Sequence, residues 1–567
     1  MQLIDWIVLG AYLVGVTVLG MFMGKNIKTL ADFLMPRKFG PGMMIMHAFG
    51  TGTASDQAVT VASASARSGL SGIWFQWLWL FSTPFYWLIA PIFRRFRALT
   101  TADVYELRYG SSVRSLYAVS GIASMVVKIA TLLIGSGALI QSGTNGEINS
   151  NIAIPLVTLL FVVYGAAGGL GAAIVTDFIQ GILTIIFSFM LLPFLLNAVG
   201  GMDGVRETIN RPEMFSMAVP GKIDTFFVVM FSVSSLAGIV AQPFIMGVCA
   251  AGRTEYEGRI GFVVGNFIKR ICTVAWTLTG LAAIAWYMQQ GMDLKELFPD
   301  KASYDAVYGD IAQRFLPNAM PGLLGIFMAA MLAGVMSSCD SFMVSSAGLF
   351  AENIYRPIAG GKSEQHYMWS ARVASIVIVL AAVVLAYALE GVVSGLKVYL
   401  KLGAVLGITF WLGLLWRRMN SVGVWSGTIA GFLVWWLTTQ ESVVSLLKPL
   451  PFRVTESDGL IRDPWQILLF GGATVVCSIV GSLVSRPPDP DRIRRFHELI
   501  RTPVTEGEVP QGPCMLPEGV APAERRSLFP GTAFEIAAPS RVSVIGFIAA
   551  WIGVGLMILG FYWITQG

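Results

Sequence analysis

Apolar runs of about twenty residues recur along the whole of this chain. A helix of that length matches the hydrocarbon thickness of a bilayer. Within hydrocarbon every backbone polar group needs an internal partner, which a helix supplies to itself. Fourteen runs stand near 4–23, 41–65, 70–93, 113–143, 151–170, 172–199, 224–250, 262–288, 321–352, 369–389, 393–416, 421–440, 464–485 and 542–564. Only 13% of the residues are charged and 55% are hydrophobic, whereas soluble domains carry about a quarter charged residues. The expected class is an all-α integral membrane protein with about fourteen transmembrane helices.

The basic residues are unevenly placed. Lys25, Lys28, Arg37 and Lys38 follow the first run, and Arg94, Arg95, Arg97, Arg108 and Arg114 follow the third. Arg253 and Arg259, Arg356 and Lys362, Arg417 and Arg418, and Arg486 to Arg501 follow later odd-numbered runs. Alternation of basic and poorer loops obeys the positive-inside rule. It sets the acidic loop 289–320 and both termini outside, in a multi-pass protein of the cytoplasmic membrane. The start, Met1 to Asp5, has no basic region or small-residue cleavage site, so it is expected as a retained helix. The five cysteines form no CxxC pair and read as packing residues.

Two runs are interrupted. One is 41–65, at Phe49-Gly50-Thr51-Gly52-Thr53-Ala54-Ser55-Asp56; the other is 224–250, where Ser232 to Gly238 is followed by Gln242-Pro243. Matched breaks in two halves point to the binding site of an inverted-repeat transporter, since unwound backbone frees carbonyls for a cation. Glycines at helix contacts are the plainer reading of either break alone.

A third feature is a polar stripe inside the run at 321–352: Ser337, Ser338, Asp340 and Ser341. Ser337 and Ser341 share a helix face, with Asp340 beside it. Ionisable groups at membrane depth usually line ion or substrate paths, and an oxygen-rich stripe suits a hard cation such as sodium. Serines that only hydrogen-bond between helices are the alternative.

Four segments together resemble the sodium:solute symporter family. They are Tyr164 to Ala172 with its Gly168-Gly169, leading to Thr176-Asp177 and Gln180; Ala102 to Gly110; Gly334 to Ser341 with Ile354-Tyr355; and Arg417 to Asn420 with Gly423. The resemblance implies a leucine-transporter-type core of five-plus-five inverted repeats with discontinuous helices. It divides the chain into a leading helix and interfacial segment (1–40), a first repeat (41–199), an external loop (200–223), a second repeat (224–416), additional helices (417–485), a cytoplasmic linker (486–541) and a final transmembrane helix (542–567). It implies a central sodium ion on carbonyls of Gly50, Thr53 and Gly334 and on hydroxyls of Ser337 and Ser338. A second cation site would use Asp177, Asp340 and Ser341. The carboxylate at 340 departs from the family's commoner Ser or Thr, and two acids at one site could instead share a proton.

For the solute, the resemblance points to Gln57, Gln76, Ser234 and Lys269. The aromatic gate of the sugar-carrying branch is missing, its place falling near Ala237. Lys128 lies close to where sialic acid transporters place an arginine. It could meet an anionic solute, neutralise Asp56 or Asp177, or snorkel.

Other classes fit less well. A primary pump would need a GxxxxGK[ST] loop, and none is present. A haem protein would need intramembrane histidines, and of His47, His366 and His497 only His47 lies in a run. A cation channel also has polar stripes, but not matched broken helices. The expectation is a sodium-coupled symporter, not an enzyme, that imports a small polar solute. Sugar or sugar acid is favoured over monocarboxylate or amino acid. Sodium is the coupling ion, with no organic cofactor. Membrane lipid is the surrounding partner; no nucleic acid is involved, and a monomer suffices.

Overall fold

The computed structural model describes residues 1–23, 30, 34–35, 37–447, 454–455, 460–508, 510–524 and 527–566. Of the leading helix and interfacial segment expected at 1–40, residues 24–29, 31–33 and 36 lie outside the described residues. Among the described residues every named element is a helix. Among the described residues eight helices are long and apolar enough to cross a membrane, and up to ten spans result if each of two sharply bent pairs is one crossing. The other expected crossings fall on the shorter apolar helices Leu3–Val18 and Ser150–Val162 and on the broken segments at 41–65 and 70–93.

Both interrupted runs are broken where glycine and proline put the break. The first divides into Pro41–Gly50 and Ser55–Ser68. Between them Gly52 takes φ +82°, a left-handed conformation that costs glycine little and other residues more. The second divides into Thr225–Gly238 and Pro243–Ala250, bent by 62°. Pro243 opens the second piece, where a missing N–H is no loss.

Two expected boundaries differ. The run at 70–93 is not one helix: a turn at 78–82 separates Trp74–Trp77 from Thr83–Arg95. Pro84 has no N–H to give the Leu80 carbonyl, so it fits the first turn of a new helix and not the interior of a continuous one, and tight bonds such as Leu80 N–H to Trp77 O (2.9 Å) fill the gap. Conversely, the runs at 151–170 and 172–199 share one helix, Ser150–Ser188, continued by Leu191–Val199. Its 39 residues would extend roughly 58 Å at 1.5 Å per residue, about twice a hydrocarbon core. The glycines at 165–171 do not stop it, because one glycine costs a helix only about 1 kcal/mol.

Small residues let these helices approach closely. Helix Glu255–Gln289 runs along both halves of the first broken span. A Cβ at Gly261 would lie 2.9 Å from Met44 O, and one at Gly265 2.9 Å from Ile45 O; Gly280 abuts Ala62. Gly403 and Gly407 of Val392–Leu415 meet Gly238 and Ala237 of the second. Gly423, Gly427 and Gly431, spaced by four, receive Ser482, Ser478 and Thr474. The first two sets of contacts hold the neighbouring helices against the two breaks.

Candidate cation and solute site

The serine-bearing helix, Leu323–Gly348, lies against the first break. Ser338 is bonded to the end of the first half-helix and to the start of the break. Its Oγ accepts from the Gly52 N–H (2.9 Å) and donates to the Gly50 carbonyl (3.2 Å). One turn earlier, Gly334 leaves room for the Thr53 carbonyl: a Cβ there would lie 2.8 Å from Thr53 O. Ser337 donates to Asp177 Oδ1, and a Cβ on Gly50 would lie 3.3 Å from Ser337 Oγ. All of these residues are buried. The arrangement gathers carbonyl, hydroxyl and carboxylate oxygens with little apolar matter between them, the donor set a hard cation takes.

The other carboxylate oxygen of Asp177 receives His47 Nδ1 at 2.6 Å. With the carboxylate ionised, Nδ1 carries the proton in that pair. His47 is fully buried, and its Nε2 has no hydrogen-bond partner. Thr51 Oγ1 lies 3.2 Å from His47 Nδ1 and 3.3 Å from Ser341 Oγ. Thus Asp177, Ser337 and, through Thr51, Ser341 form one connected polar group. Asp340 is buried on the same helix. Sequence reasoning missed His47 and Thr51. Thr51 stands inside the quoted Gly-Thr-Gly-Thr break, so that signal was available. His47 carried none, because its partner is 130 residues away.

The expected solute residues divide. Lys128 Nζ sits 2.8 Å from Asp56 Oδ2 in a buried ion pair and 5.7 Å from the centre of the Tyr399 ring. Of its sequence readings, neutralising Asp56 is the one the geometry displays. Asp56 Oδ1, Gln57 Oε1 and the Tyr399 hydroxyl are buried without hydrogen-bond partners among the described residues. Gln76 accepts Arg270 Nη1 at both its backbone carbonyl (2.6 Å) and Oε1 (3.2 Å). Ser234 Oγ donates to the Leu400 carbonyl at 3.5 Å. Lys269 Nζ donates to the Thr51 carbonyl at 3.3 Å, which puts an ammonium at the first break.

Comparison with known proteins identifies this architecture. A sodium-coupled sialic acid symporter solved outward-open with substrate has a similar fold, with TM-score 0.68 at 18% identity, covering 86% of this chain and 99% of that one. A nucleobase-cation-symport-1 family transporter in a closed conformation gives TM-score 0.52 at 9% identity, covering 82% and 98%. At these identities the likeness concerns the fold alone, that of a helical membrane transporter. The sodium:solute symporter family profile matches residues 32–431, and the chain belongs to that family. The high-affinity proline transporter of Bacillus subtilis is 27% identical over 73% of this chain and 87% of its own. The sodium/pantothenate symporter of Haemophilus influenzae is 26% identical over 73% and 86%. The rabbit (Oryctolagus cuniculus) sodium/myo-inositol cotransporter 2 is 23% identical over 92% and 84%.

Proposed function

We propose that this chain is a sodium-driven symporter of the cytoplasmic membrane, working by alternating access as a monomer, with no catalytic activity and no organic cofactor. The observation that carries the reading is Ser338 of the serine helix bonded to both Gly50 O and Gly52 N–H where the first half-helix breaks. Sodium entering here would exchange those hydrogen bonds for contacts to Gly50, Thr53 and Gly334 carbonyls and Ser337 and Ser338 hydroxyls. That draws the serine helix and both halves of the broken span into one arrangement. Asp177, Ser341 and Asp340 supply a second cation position, for sodium or a proton. The solute site is built from Gln57, Gln76, Lys128, Ser234 and Lys269, and takes a small polar organic solute. Family membership and the inositol, proline and pantothenate relatives support symport without choosing between sugar, sugar acid, monocarboxylate and amino acid.

The core is read as two inverted repeats of five helices within fourteen crossings, with the basic face and the 486–541 linker cytoplasmic. Reconstituted protein should show saturable, sodium-dependent uptake and exchange of internal for external solute. Flux down a gradient without exchange would mean a pore. Sodium dependence that survives Ser337→Ala with Ser338→Ala would refute the site.

A further inference from the structure

On the face that the basic loops assign to the cytoplasm, the ends of both broken spans meet. Phe39, two residues before helix Pro41–Gly50, pairs with Gly252, two residues after Pro243–Ala250. Phe39 N–H donates to Ala251 O at 3.4 Å, and Arg253 N–H to Phe39 O at 3.2 Å. The end of helix Thr83–Arg95 is bonded to this junction. Arg94 donates to the Gly252 and Arg253 carbonyls (3.4 and 3.3 Å), and Arg37 to the Arg97 and Ala98 carbonyls (3.0 and 3.1 Å). The next residues, Leu99 and Thr100, line a cleft with Pro243 and Gly247 of the second broken span and Ser345 of the serine helix. The cleft holds about 20 Å³, room for about one water molecule.

The linker is bonded across that junction. Glu508 takes Arg97 Nε at 2.8 Å and lies 3.8 Å from Arg94 Nη1, and its side chain is only 3% exposed. Arg97 also donates to the Pro503 carbonyl, and Arg95 to the Ile500 carbonyl, each at 3.0 Å. Glu255 takes Arg95 on both its oxygens (2.7 Å each) and accepts the Val504 N–H (3.0 Å). Internal bonds make the linker one unit: Ala523 N–H donates to Thr502 Oγ1 at 3.0 Å, and Arg501 pairs with Glu535. Glu535 also pairs with Arg417 just past helix Val392–Leu415, where Phe534 forms an antiparallel bridge with Trp416. Pulling a buried carboxylate from its buried guanidinium partners leaves uncompensated charge. While the linker is docked, the end of helix Thr83–Arg95 and the ends of both broken spans are therefore held as one block. Release is reversible, because helices Asp463–Val484 and Arg541–Gln566 tether the linker at both ends and make redocking intramolecular. The linker lies beyond residues 32–431, the part that the family profile matches.

We propose that the 486–541 linker is a cytoplasmic latch. Docked, it holds the ends of the two broken spans and of helix Thr83–Arg95 together and keeps the cleft at Gly247 shut. It leaves as a unit before that side opens. The inference rests on the alternating-access reading and adds to it the element that limits inward opening.

The test uses full-length protein in nanodiscs carrying Cys477→Ser and Cys514→Ser, with Gly247→Cys as reporter. A Cβ at Gly247 meets only Leu170 Cδ2, at 3.7 Å. Labelling by N-ethylmaleimide is read at residue 247 by tandem mass spectrometry, in choline chloride and in sodium chloride. In choline, Glu508→Gln should raise the labelling rate at least fivefold. A disulfide between Trp416→Cys and Phe534→Cys should lower it at least fivefold, and a reductant should restore it. Arg417 N–H donates to Ala533 O (2.8 Å) and Glu535 N–H to Leu415 O (2.9 Å), so 416 and 534 form a non-hydrogen-bonded pair. Such a pair has Cα atoms about 4.5 Å apart, within disulfide reach. A rate that the disulfide leaves unchanged would overturn the proposal, as would an unchanged rate in folded Glu508→Gln. If Glu508→Gln does not fold, the disulfide decides alone. Sodium should slow labelling when the linker is native. If it does and the linker arms fail, only the latch falls; if sodium has no effect, the symport reading falls and the linker arms still decide the latch.

Discussion

Asp177 receives donors from two other segments, His47 from the first half-helix and Ser337 from the serine helix. A buried carboxylate held this way is fixed in orientation, and removing it leaves two buried donors short of an acceptor. Each such loss costs about 1–3 kcal/mol. Asp177→Asn keeps one oxygen for Ser337 and loses the charge. The expected outcome is at least a tenfold loss of sodium affinity in equilibrium binding, with a folded protein. His47→Gln preserves a side-chain donor and should retain more sodium affinity than His47→Ala; equal losses would show that the Nδ1 donor is unimportant. Of these residues, Asp177, Ser337 and Ser338 were legible in the sequence because each stands in a local pattern. His47 was not, because its role is set by a contact between segments far apart in the chain.

At the scale of elements, the breaks were legible and the unbroken stretches were less so. Gly50 to Thr53 and Gln242-Pro243 punctuate apolar runs, and punctuation is a local signal. The turn at 78–82 depended on Pro84 overriding a hydrophobic run, and the continuity of Ser150–Ser188 on glycines that did not interrupt it. Close packing gives a direct test. Gly334→Ala would push a methyl to 2.8 Å from Thr53 O, whereas Gly472 has no atom within 4 Å of its Cβ position. Overpacking against backbone costs about 1–3 kcal/mol. Gly334→Ala should therefore lower both the unfolding temperature and sodium affinity, and Gly472→Ala should change neither.

The linker is another element whose docking sequence patterns did not reveal. Its helix Pro490–Arg501 places Phe496, Leu499 and Ile500 in the core. Arg95 donates to Ile500 O at 3.0 Å, and Arg97 pairs with Glu508 at 2.8 Å. Glu535 is held by Arg417 and Arg501. His497 is buried there, and burial, with Arg108, Arg417 and Arg501 nearby, pushes its pKa down to about 3. The undocked imidazole, at its ordinary value near 6.5, takes up a proton first. Docking is therefore strongest above pH ~6.5 and weakens as pH falls toward 3. Hydrogen exchange over 490–501 should quicken between pH 6.5 and 5 once corrected for intrinsic rates. His497→Phe should remove that dependence.

Across the whole molecule, close-packed helices that meet through glycines bring the first break, Asp177 and the serine helix together. Alternating access needs ion binding to favour one arrangement of the two broken spans over another. Sodium at the proposed site would do this, because its ligands would come from both a broken span and the serine helix. The most direct measurement is equilibrium binding of radioactive sodium to purified wild-type protein and to the Ser337→Ala, Ser338→Ala double variant, with no solute present. Saturable binding by wild type, weakened at least tenfold in the variant while its unfolding temperature in choline stays within a few degrees, is the expected result. Equal sodium binding by the two proteins would contradict the account.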